Sequence, residues 1–270
     1  MFLAEQLAQF AVSKHIPPQA MAAARLRLLD GLAAALAALP AKSVLRPRAT
    51  LALFGADGAA SAIGRDRPCP AAAAALHNGL LMHGLEFDDT HVGAVVHGAP
   101  VILPAVLACA EQDARSGEEV LRAICVGWEV LARIGAALRG ELQRYGFQAT
   151  SVAGPLAAAA AVAQLSGFDA RRTVNALGIA GSQSSGVFEF LESGANSKAL
   201  HGGWAALGGL VAAALAADGM TGPPSILEGR SGLFAAFARA PELAARMEAQ
   251  LADLGSRWAV AEVRPKSAPC

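Results

Sequence analysis

The chain has 270 residues, of which 54% are hydrophobic and only 16% are charged. This composition excludes intrinsic disorder, because the chain has ample apolar surface to offset the entropy that folding costs. Its 22 basic and 22 acidic side chains cancel to a formal net charge of zero, which argues against a nucleic-acid partner, since such proteins present a basic surface.

Two long uncharged stretches, residues 150–168 and 202–217, are rich in alanine and glycine rather than in leucine, isoleucine and phenylalanine. A membrane span needs about 20 strongly apolar residues, so we interpret both as buried core helices and expect no membrane partner. The N-terminus lacks the basic start of a signal peptide. The four cysteines show no C-x-x-C spacing, so we expect neither disulfides nor zinc, and a cytoplasmic location.

Helical periodicity dominates the chain and predicts an all-α, bundle-like fold. The predicted helices begin at proline or capping residues and end near proline or glycine. They cover residues 2–13, 18–39, 70–86, 100–115, 117–138, 150–165, 169–182, 197–218, 231–239 and 241–254. Ser116 and Glu119 have the spacing of a capping box for the helix that follows them.

Two segments depart from this helical pattern. Residues 45–66 turn around Asp57-Gly58, which predicts a small hairpin near 50–65, and residues 258–263 alternate as at the start of a strand. Without repeats or flexible linkers, the pattern predicts one mostly helical domain over residues 1–270. The last residues stop without a closing element, so we expect the chain to be cut there.

Polar residues are scarce, and four of the six histidines lie between residues 77 and 97. His83, Glu86 and Thr90 have helical spacing and would share a face, and two glycines would let His97 return towards them on a loop. A histidine beside carboxylates suits acid–base chemistry, because it titrates near neutrality. The alternative is a solvated helix end.

The same segment offers six side chains of the types that bind metals. Their spacing matches no metal motif, so we expect no metal. These candidate ligands are His83, Glu86, Asp88, Asp89, His91 and His97.

A second polar segment begins an apolar helix, with Lys198 and His201 three residues apart. A cation at a helix N-terminus opposes the helix dipole. The arrangement is favourable when an anionic ligand binds there, held by backbone N–H groups and the ammonium together. The alternative is an ordinary solvated lysine.

These motifs, in this order, resemble the MmgE/PrpD family of 2-methylcitrate dehydratases, cis-aconitate decarboxylases and iminodisuccinate epimerases. The similar stretches are residues 78–91, 97–100, 146–150, 194–203, 219–229 and 266–270. The resemblance implies a helical domain, a homodimer, no metal or iron–sulfur cofactor, and a lid domain inserted after the last stretch. Because family members are much longer, it also implies that the lid is absent from this chain.

The resemblance implies catalytic roles for four residues of the histidine-rich segment between residues 77 and 97. His97 matches the family's active-site histidine, and Thr90 matches the threonine of the D-D-T-H run, with Asp89 directly before it. Glu86 stands where the family usually has aspartate, which is one methylene shorter.

The resemblance also implies substrate-binding roles. Lys198 and Lys266 match two lysines that would hold substrate carboxylates, and we assign His201 to the same role. Gln148 is a departure, because the family usually has histidine there, and Ala268 replaces the usual tyrosine. An amide cannot exchange a proton near neutral pH.

Together these features predict a metal-independent lyase, a dehydratase or decarboxylase, acting on a small di- or tricarboxylate such as 2-methylcitrate or cis-aconitate. The alternatives are an epimerase on the same scaffold and a truncated, non-catalytic dimerisation module. Without a lid we expect little or no turnover from this chain alone. We expect one cleft to contain His97, Glu86, Asp89, Thr90, Lys198 and His201.

Overall fold

A computed structural model describes residues 1–13, 15–44 and 48–266, with only the backbone of residues 48 and 49. In these ranges the chain is all-α, as predicted, and β-pairing is limited to isolated bridges. The helices are α1 (Leu3–Ala11), α2 (Pro18–Ala38), α3 (Arg48–Leu51), α4 (Ala71–Gly84), α5 (Ala99–Gln112), α6 (Gly117–Ala137), α7 (Glu141–Arg144), α8 (Ala149–Leu165), α9 (Ala170–Ser182), α10 (Phe190–Ser193), α11 (Lys198–Ala217), α12 (Leu233–Ala236) and α13 (Leu243–Leu251).

Side-chain caps start two of the helices where the sequence predicts them. The Oγ of Ser116 accepts the N–H of Glu119 at 3.3 Å, and the Glu119 carboxylate accepts the N–H of Ser116 at 2.8 Å. Asp169 caps α9 in a similar way, by accepting the N–H of Arg172 at 2.7 Å. These bonds satisfy N–H groups that a helix start leaves without partners.

Helices α8 and α11 contain the two uncharged stretches, and both belong to the core. Every residue of α8 is buried except Gln164. Among the described residues α11 alone is long and apolar enough to cross a membrane, but 61% of its most apolar window is buried inside the protein. The two helices pack against each other, with α4, α5, α6 and α9 around them.

A glycine contact between α4 and α11 sets the geometry of the site. A Cβ atom on Gly79 would lie 2.5 Å from the Cα of Gly203, so the backbones can approach this closely only without a side chain. Farther along, Glu86 reaches Lys198, which shows that the helices run antiparallel. The end of α4 therefore lies beside the start of α11.

The small hairpin predicted near 50–65 does not form. Its first part is helical, in α3 and a 3-10 turn at Ala52–Phe54, and Ala60 pairs instead with Cys69. Gly58 packs closely against this bridge: a Cβ atom at this position would come within 2.3 Å of the Cys69 backbone. Alanine and leucine favour a helical turn over a short strand. Residues 45–47 of the prediction lie outside the described residues.

The strand start predicted at 258–263 is also wrong. Residues Ala259–Ala261 form a 3-10 turn, and the alternation arises because Trp258, Val260 and Val263 are buried against the core. The neighbouring Arg264 does pair, in an antiparallel bridge with Thr90. The helix predicted at 231–239 shortens to α12.

Candidate active site

The site is built around the loop of residues 85–98, which joins α4 to α5. A Cβ on Gly98 would lie 2.3 Å from the ring of Trp128, so the end of the loop is seated directly against α6. Near its start, Glu86 has a φ of 60°, a left-handed conformation that glycine normally occupies after a helix. The loop therefore turns sharply at Glu86.

His97 has two ring nitrogens in different surroundings. Nδ1 lies 3.0 Å from the carbonyl oxygen of Asp89 and 3.1 Å from the Oγ1 of Thr90. A carbonyl can only accept, so Nδ1 carries the proton and Nε2 carries the lone pair. The main-chain N–H of His97 donates to the Oγ1 of Thr150 at 3.0 Å. These contacts fix both the ring and its tautomer.

The charge state of His97 follows from its surroundings. Burial lowers the pKa of His97 to about 4; His83 and Lys266 act in the same direction, although Asp88 opposes them. The ring is therefore uncharged at neutral pH, and its Nε2 can accept a proton.

Asp88 lies at the centre of the cluster. His83 Nδ1 donates to Asp88 Oδ2 at 2.8 Å, the same oxygen is 3.7 Å from His97 Nδ1, and Lys266 Nζ is 3.6 Å from Oδ1. Burial opposes ionisation, but these two histidines and the lysine hold the pKa of Asp88 well below its usual range. Asp88 is thus a buried negative charge that faces three cationic or proton-donating groups.

Asp89 has a different environment from its neighbour. Its Oδ1 accepts the N–H of Ala99 at the start of α5, at 2.9 Å. Burial raises the pKa of Asp89 to about 8; the Ala99 N–H opposes this, and Asp88 and Asp30 reinforce it. The residue therefore meets His97 through its main-chain carbonyl, while its carboxyl group is mostly protonated at neutral pH.

Two lysines approach this loop from distant parts of the chain. Lys198 Nζ donates to the Oε2 of Glu86 at 2.6 Å. Lys266 Nζ donates to the main-chain carbonyl of Glu86 at 3.0 Å, and its side chain is only 6% exposed. The pairing of Thr90 with Arg264 brings the segment that carries Lys266 to the loop. Both ammonium groups thus lie at Glu86, Lys198 at its carboxylate and Lys266 at its main-chain carbonyl.

His201 and Gln148 form a buried pair at the starts of α11 and α8. His201 Nδ1 donates to the Oε1 of Gln148 at 2.5 Å, and the ring of Phe190 packs edge-on against the imidazole at 5.4 Å. Burial lowers the pKa of His201 to about 4, and His83 and Lys198 act in the same direction. The imidazole is therefore neutral at neutral pH.

The structure thus brings the predicted residues into contact as three sets. Glu86 meets Lys198 and Lys266; Thr90 and Asp89 meet His97; His201 meets Gln148. Sequence reasoning missed the central place of Asp88, which it named only as a metal ligand, and the contact of Thr150 with His97. The signal for Asp88 was present, as the first of two adjacent carboxylates in an apolar region.

Within residues 1–13, 15–44 and 48–266, no three His, Cys, Asp or Glu side chains have the arrangement of a metal-ligand set. Lys266 is the last described residue, so the rest of its predicted motif, including Ala268 and Cys270, lies outside the described part of the chain.

Comparison with known families gives one broad match. The model of the MmgE/PrpD N-terminal domain matches residues 4–246. This stretch includes the loop between α4 and α5 and the start of α11, but not the segment that carries Lys266.

Individual relatives match over most of this chain. It is 32% identical over 268 residues to the cis-aconitate decarboxylase-like protein oryM of Aspergillus oryzae, covering 94% of this chain and 55% of the relative. A cis-aconitate decarboxylase of Aspergillus terreus is 32% identical over 265 residues, covering 94% and 54%. The human cis-aconitate decarboxylase is 34% identical over 174 residues, covering 63% and 36%. The chain thus spans about half the length of the two Aspergillus relatives and about a third of the human one.

Proposed function

The chain belongs to the MmgE/PrpD family, and from this membership and the geometry around His97 we propose that it is a lyase, a dehydratase or decarboxylase, for a small di- or tricarboxylate. The observation that carries the proposal is a neutral histidine fixed on the same loop as Glu86, which both lysines contact. This combination suits a reaction in which a proton moves at a carbon next to a carboxylate.

His97 is the group that transfers the proton. Its Nδ1–H is held by the carbonyl of Asp89, so the Nε2 lone pair is the base. Because burial lowers the pKa of His97 to about 4, Nε2 is unprotonated at neutral pH and can accept a proton. Thr90 contacts the ring, and Thr150 holds the main chain that carries it. General acid–base catalysis of this kind contributes roughly 10²–10⁴-fold to a rate.

Lys198 and Lys266 stabilise the charge that develops on the substrate. When a proton leaves the carbon, negative charge grows on the adjacent carboxylate, and an ammonium group nearby lowers the energy of that state. In a dehydration, His97 takes the proton from carbon, the C–O bond breaks, a C=C bond forms, and His97 passes the proton to the leaving hydroxide, which departs as water. In a decarboxylation, a C–C bond breaks, CO₂ leaves, and the remaining electron pair takes up a proton that His97 relays from solvent.

Gln148 contributes to substrate binding and does not transfer a proton. Its Oε1 accepts from His201, and an amide has no proton to exchange near neutral pH. His97 therefore carries the acid–base chemistry without a second titratable partner at this position. The pair of Gln148 and His201 contributes a neutral, hydrogen-bonding wall for the carboxylate substrate.

The test is a turnover assay with 2-methylcitrate and cis-aconitate. Alkene absorbance reports dehydration, and trapped CO₂ reports decarboxylation. We expect His97→Gln to lower turnover by about 100-fold or more, while His15→Gln, at an exposed histidine, leaves it unchanged. Turnover that survives His97→Gln would contradict the proposal. Because we expect little turnover from this chain alone, the rates are compared in a longer chain that includes the lid domain. Binding of these acids without turnover by that longer chain would favour the non-catalytic module.

The neutral base of His97 also suits an epimerase, since epimerisation needs the same removal of a proton next to a carboxylate. In D₂O such an enzyme would incorporate deuterium at that carbon without forming an alkene or CO₂. That result, abolished by His97→Gln, would favour the epimerase over the lyase.

A further inference from the structure

A cavity of about 630 Å³ opens beside the site, between the end of α4 and the starts of α10 and α11. Its volume is within the range of pockets that bind small molecules. One corner is polar, where Glu86, Lys198 and His83 line it. His97 is not among its lining residues.

The opposite wall of the cavity is apolar. Leu76, Leu80 and Phe190 form its buried part, with 2%, 5% and 7% of their surface exposed. Leu191 and Leu200 also line the cavity and remain 63% and 42% exposed. A citrate-type acid has a polar group at every end and would leave these five side chains uncovered, whereas an aliphatic chain would cover them favourably.

The polar corner carries two features that suit a carboxylate. Lys198 begins the 20-residue helix α11, whose N-cap Ser197 makes no side-chain capping bond, and a helix start of this kind attracts anions. Independently, His83 lines the cavity with a side chain that is 0% exposed. Its Nδ1 binds Asp88, while its buried Nε2 has no hydrogen-bond partner among the described residues. A buried polar atom of this type is normally satisfied by a ligand or water.

We propose that this cavity receives an aliphatic chain on the substrate, so that the substrate class is a di- or tricarboxylate with an unbranched alkyl substituent of several carbons. The carboxylate end lies at Lys198 and His83, and the chain lies against the leucines and Phe190. This inference rests on the proposed function for the identity of the substrate's polar end. The apolar wall is observed independently of that function.

Calorimetric binding of three probes tests the inference: citrate, 2-methylcitrate, and a citrate with a hexyl group in place of the methyl. Burial of each methylene is expected to tighten binding about fourfold, so the hexyl compound should bind at least about tenfold more tightly than 2-methylcitrate. Replacing both exposed leucines of the wall, in Leu191→Ser/Leu200→Ser, should abolish this gain and leave citrate binding unchanged. Leu36→Ser, at a 58% exposed leucine of α2, is the matched control and should retain the gain.

Octanoate, which has the chain but a single carboxylate, separates this inference from the proposed function. Equal affinity for the three citrates, or a gain that survives the double substitution, overturns the cavity proposal while tricarboxylate binding upholds the proposed function. Octanoate binding that the double substitution abolishes, with no binding of any citrate, supports the chain-binding wall but overturns both the tricarboxylate substrate class and the proposed function. No binding of any probe overturns both.

Discussion

Conformational strain and an ion pair coincide at Glu86. Glu86 and Ala114 each lie two residues after a helix ends, and both have left-handed backbones, with φ of 60° and 52°. Such a backbone costs a residue with a Cβ roughly 1–2 kcal/mol, a cost that glycine avoids. A carboxylate kept in such a position suggests that the side chain is used, here to meet Lys198 at 2.6 Å.

Glycine substitutions separate strain from function at these two positions. We expect Ala114→Gly to raise the free energy of unfolding by up to about 1 kcal/mol, because the strain is released. Glu86→Gly releases the same strain but loses a partly exposed ion pair worth about 0–1 kcal/mol, so stability should hardly change while turnover of the acids falls. Urea denaturation measures the first and the alkene assay the second. A stability loss above roughly 2 kcal/mol in Glu86→Gly would make the pair structural.

The buried carboxyl of Asp89 links stability to pH. In the folded chain its pKa is raised to about 8 from 3.8, so between these values the folded state holds a proton that the unfolded state releases. Stability therefore falls as pH rises through this range. His97 and His201, with pKa values lowered from 6.5 to about 4, act in the opposite sense, since their stabilisation is lost as pH falls below about 6.5.

Above pH 6.5 the effect of Asp89 is therefore no longer opposed by these two histidines. We expect the free energy of unfolding to fall between pH 6.5 and 8 by at most about 1.4 kcal/mol per pH unit, and Asp89→Asn to remove this fall. Urea unfolding at several pH values measures the slope. Asp66→Asn, at an exposed aspartate, should leave the slope as it is. An unchanged slope in Asp89→Asn would show that its carboxyl is ionised throughout.

At the scale of single residues, the sequence indicated most of the residues in the candidate site, because polar side chains stand out in an apolar chain. His97, Glu86 and Lys198 were identified in this way, with the family resemblance adding Lys266 and Gln148. Contacts were harder to predict, since they depend on how the loop turns. Asp88 and Asp89 are adjacent and chemically identical, yet the first is kept ionised by cationic and proton-donating neighbours and the second is mostly protonated because it is buried. Only their three-dimensional surroundings distinguish them.

At the scale of elements, the contact between α4 and α11 determines whether Glu86 reaches Lys198. A Cβ on Gly79 would meet the Cα of Gly203 at 2.5 Å and the carbonyl oxygen of Pro100 at 2.8 Å. Both are backbone atoms, which cannot move aside as a side-chain end can. The two helices would have to separate to accept even one methyl group.

We therefore expect Gly79→Ala to destabilise the fold by about 1–3 kcal/mol, as overpacking does, although alanine is the better helix former by about 1 kcal/mol. Carboxylate binding should weaken too, because the end of α4, which leads to Glu86, and the start of α11, which carries Lys198, move apart. Thermal unfolding and calorimetry measure the two effects. The control is Gly117→Ala, where a Cβ meets no atom within 4 Å and stability should stay equal or rise. A stable Gly79→Ala with unchanged binding would contradict this account.

Helices were predictable where periodicity and capping agree, as at Ser116 and Asp169, because both signals are local. The hairpin near 50–65 and the strand start at 258–263 were not, because alternation over six residues also arises when a turn buries every second or third side chain. Trp258, Val260 and Val263 show this directly. The short helices α7 and α10 have one turn each, too little for a periodic signal.

At the scale of the whole molecule, a buried ionic network ties the chain after α13 to α6. Arg133 donates to the carboxylate of Glu129 at 2.9 Å and to the carbonyls of Gln250 and Arg257 at 2.6 and 2.9 Å; it also donates to Asp253. Glu129 itself accepts the N–H of Ala259. Both network residues on α6 are at most 3% exposed.

This network holds the segment that leads to Lys266. Seven residues after Ala259, Lys266 reaches the loop between α4 and α5, and one core cluster includes buried residues from Leu3 to Val263. The position of Lys266 thus depends on charges buried on α6. Removing one partner of a buried pair leaves the other charge uncompensated, which costs about 3–5 kcal/mol.

We expect Glu129→Leu to destabilise the chain by about 3 kcal/mol or more, and Glu129→Leu/Arg133→Met to be less destabilised than this single variant, because no unpaired charge stays buried. Glu118→Leu, on the same helix but 66% exposed and paired with Arg122 at 2.6 Å, should change stability by under about 1 kcal/mol. Hydrogen exchange over residues 259–266 should speed up in Glu129→Leu, since the Ala259 N–H loses its acceptor. If exchange there is unchanged, or the double variant is as unstable as the single one, the network does not position Lys266.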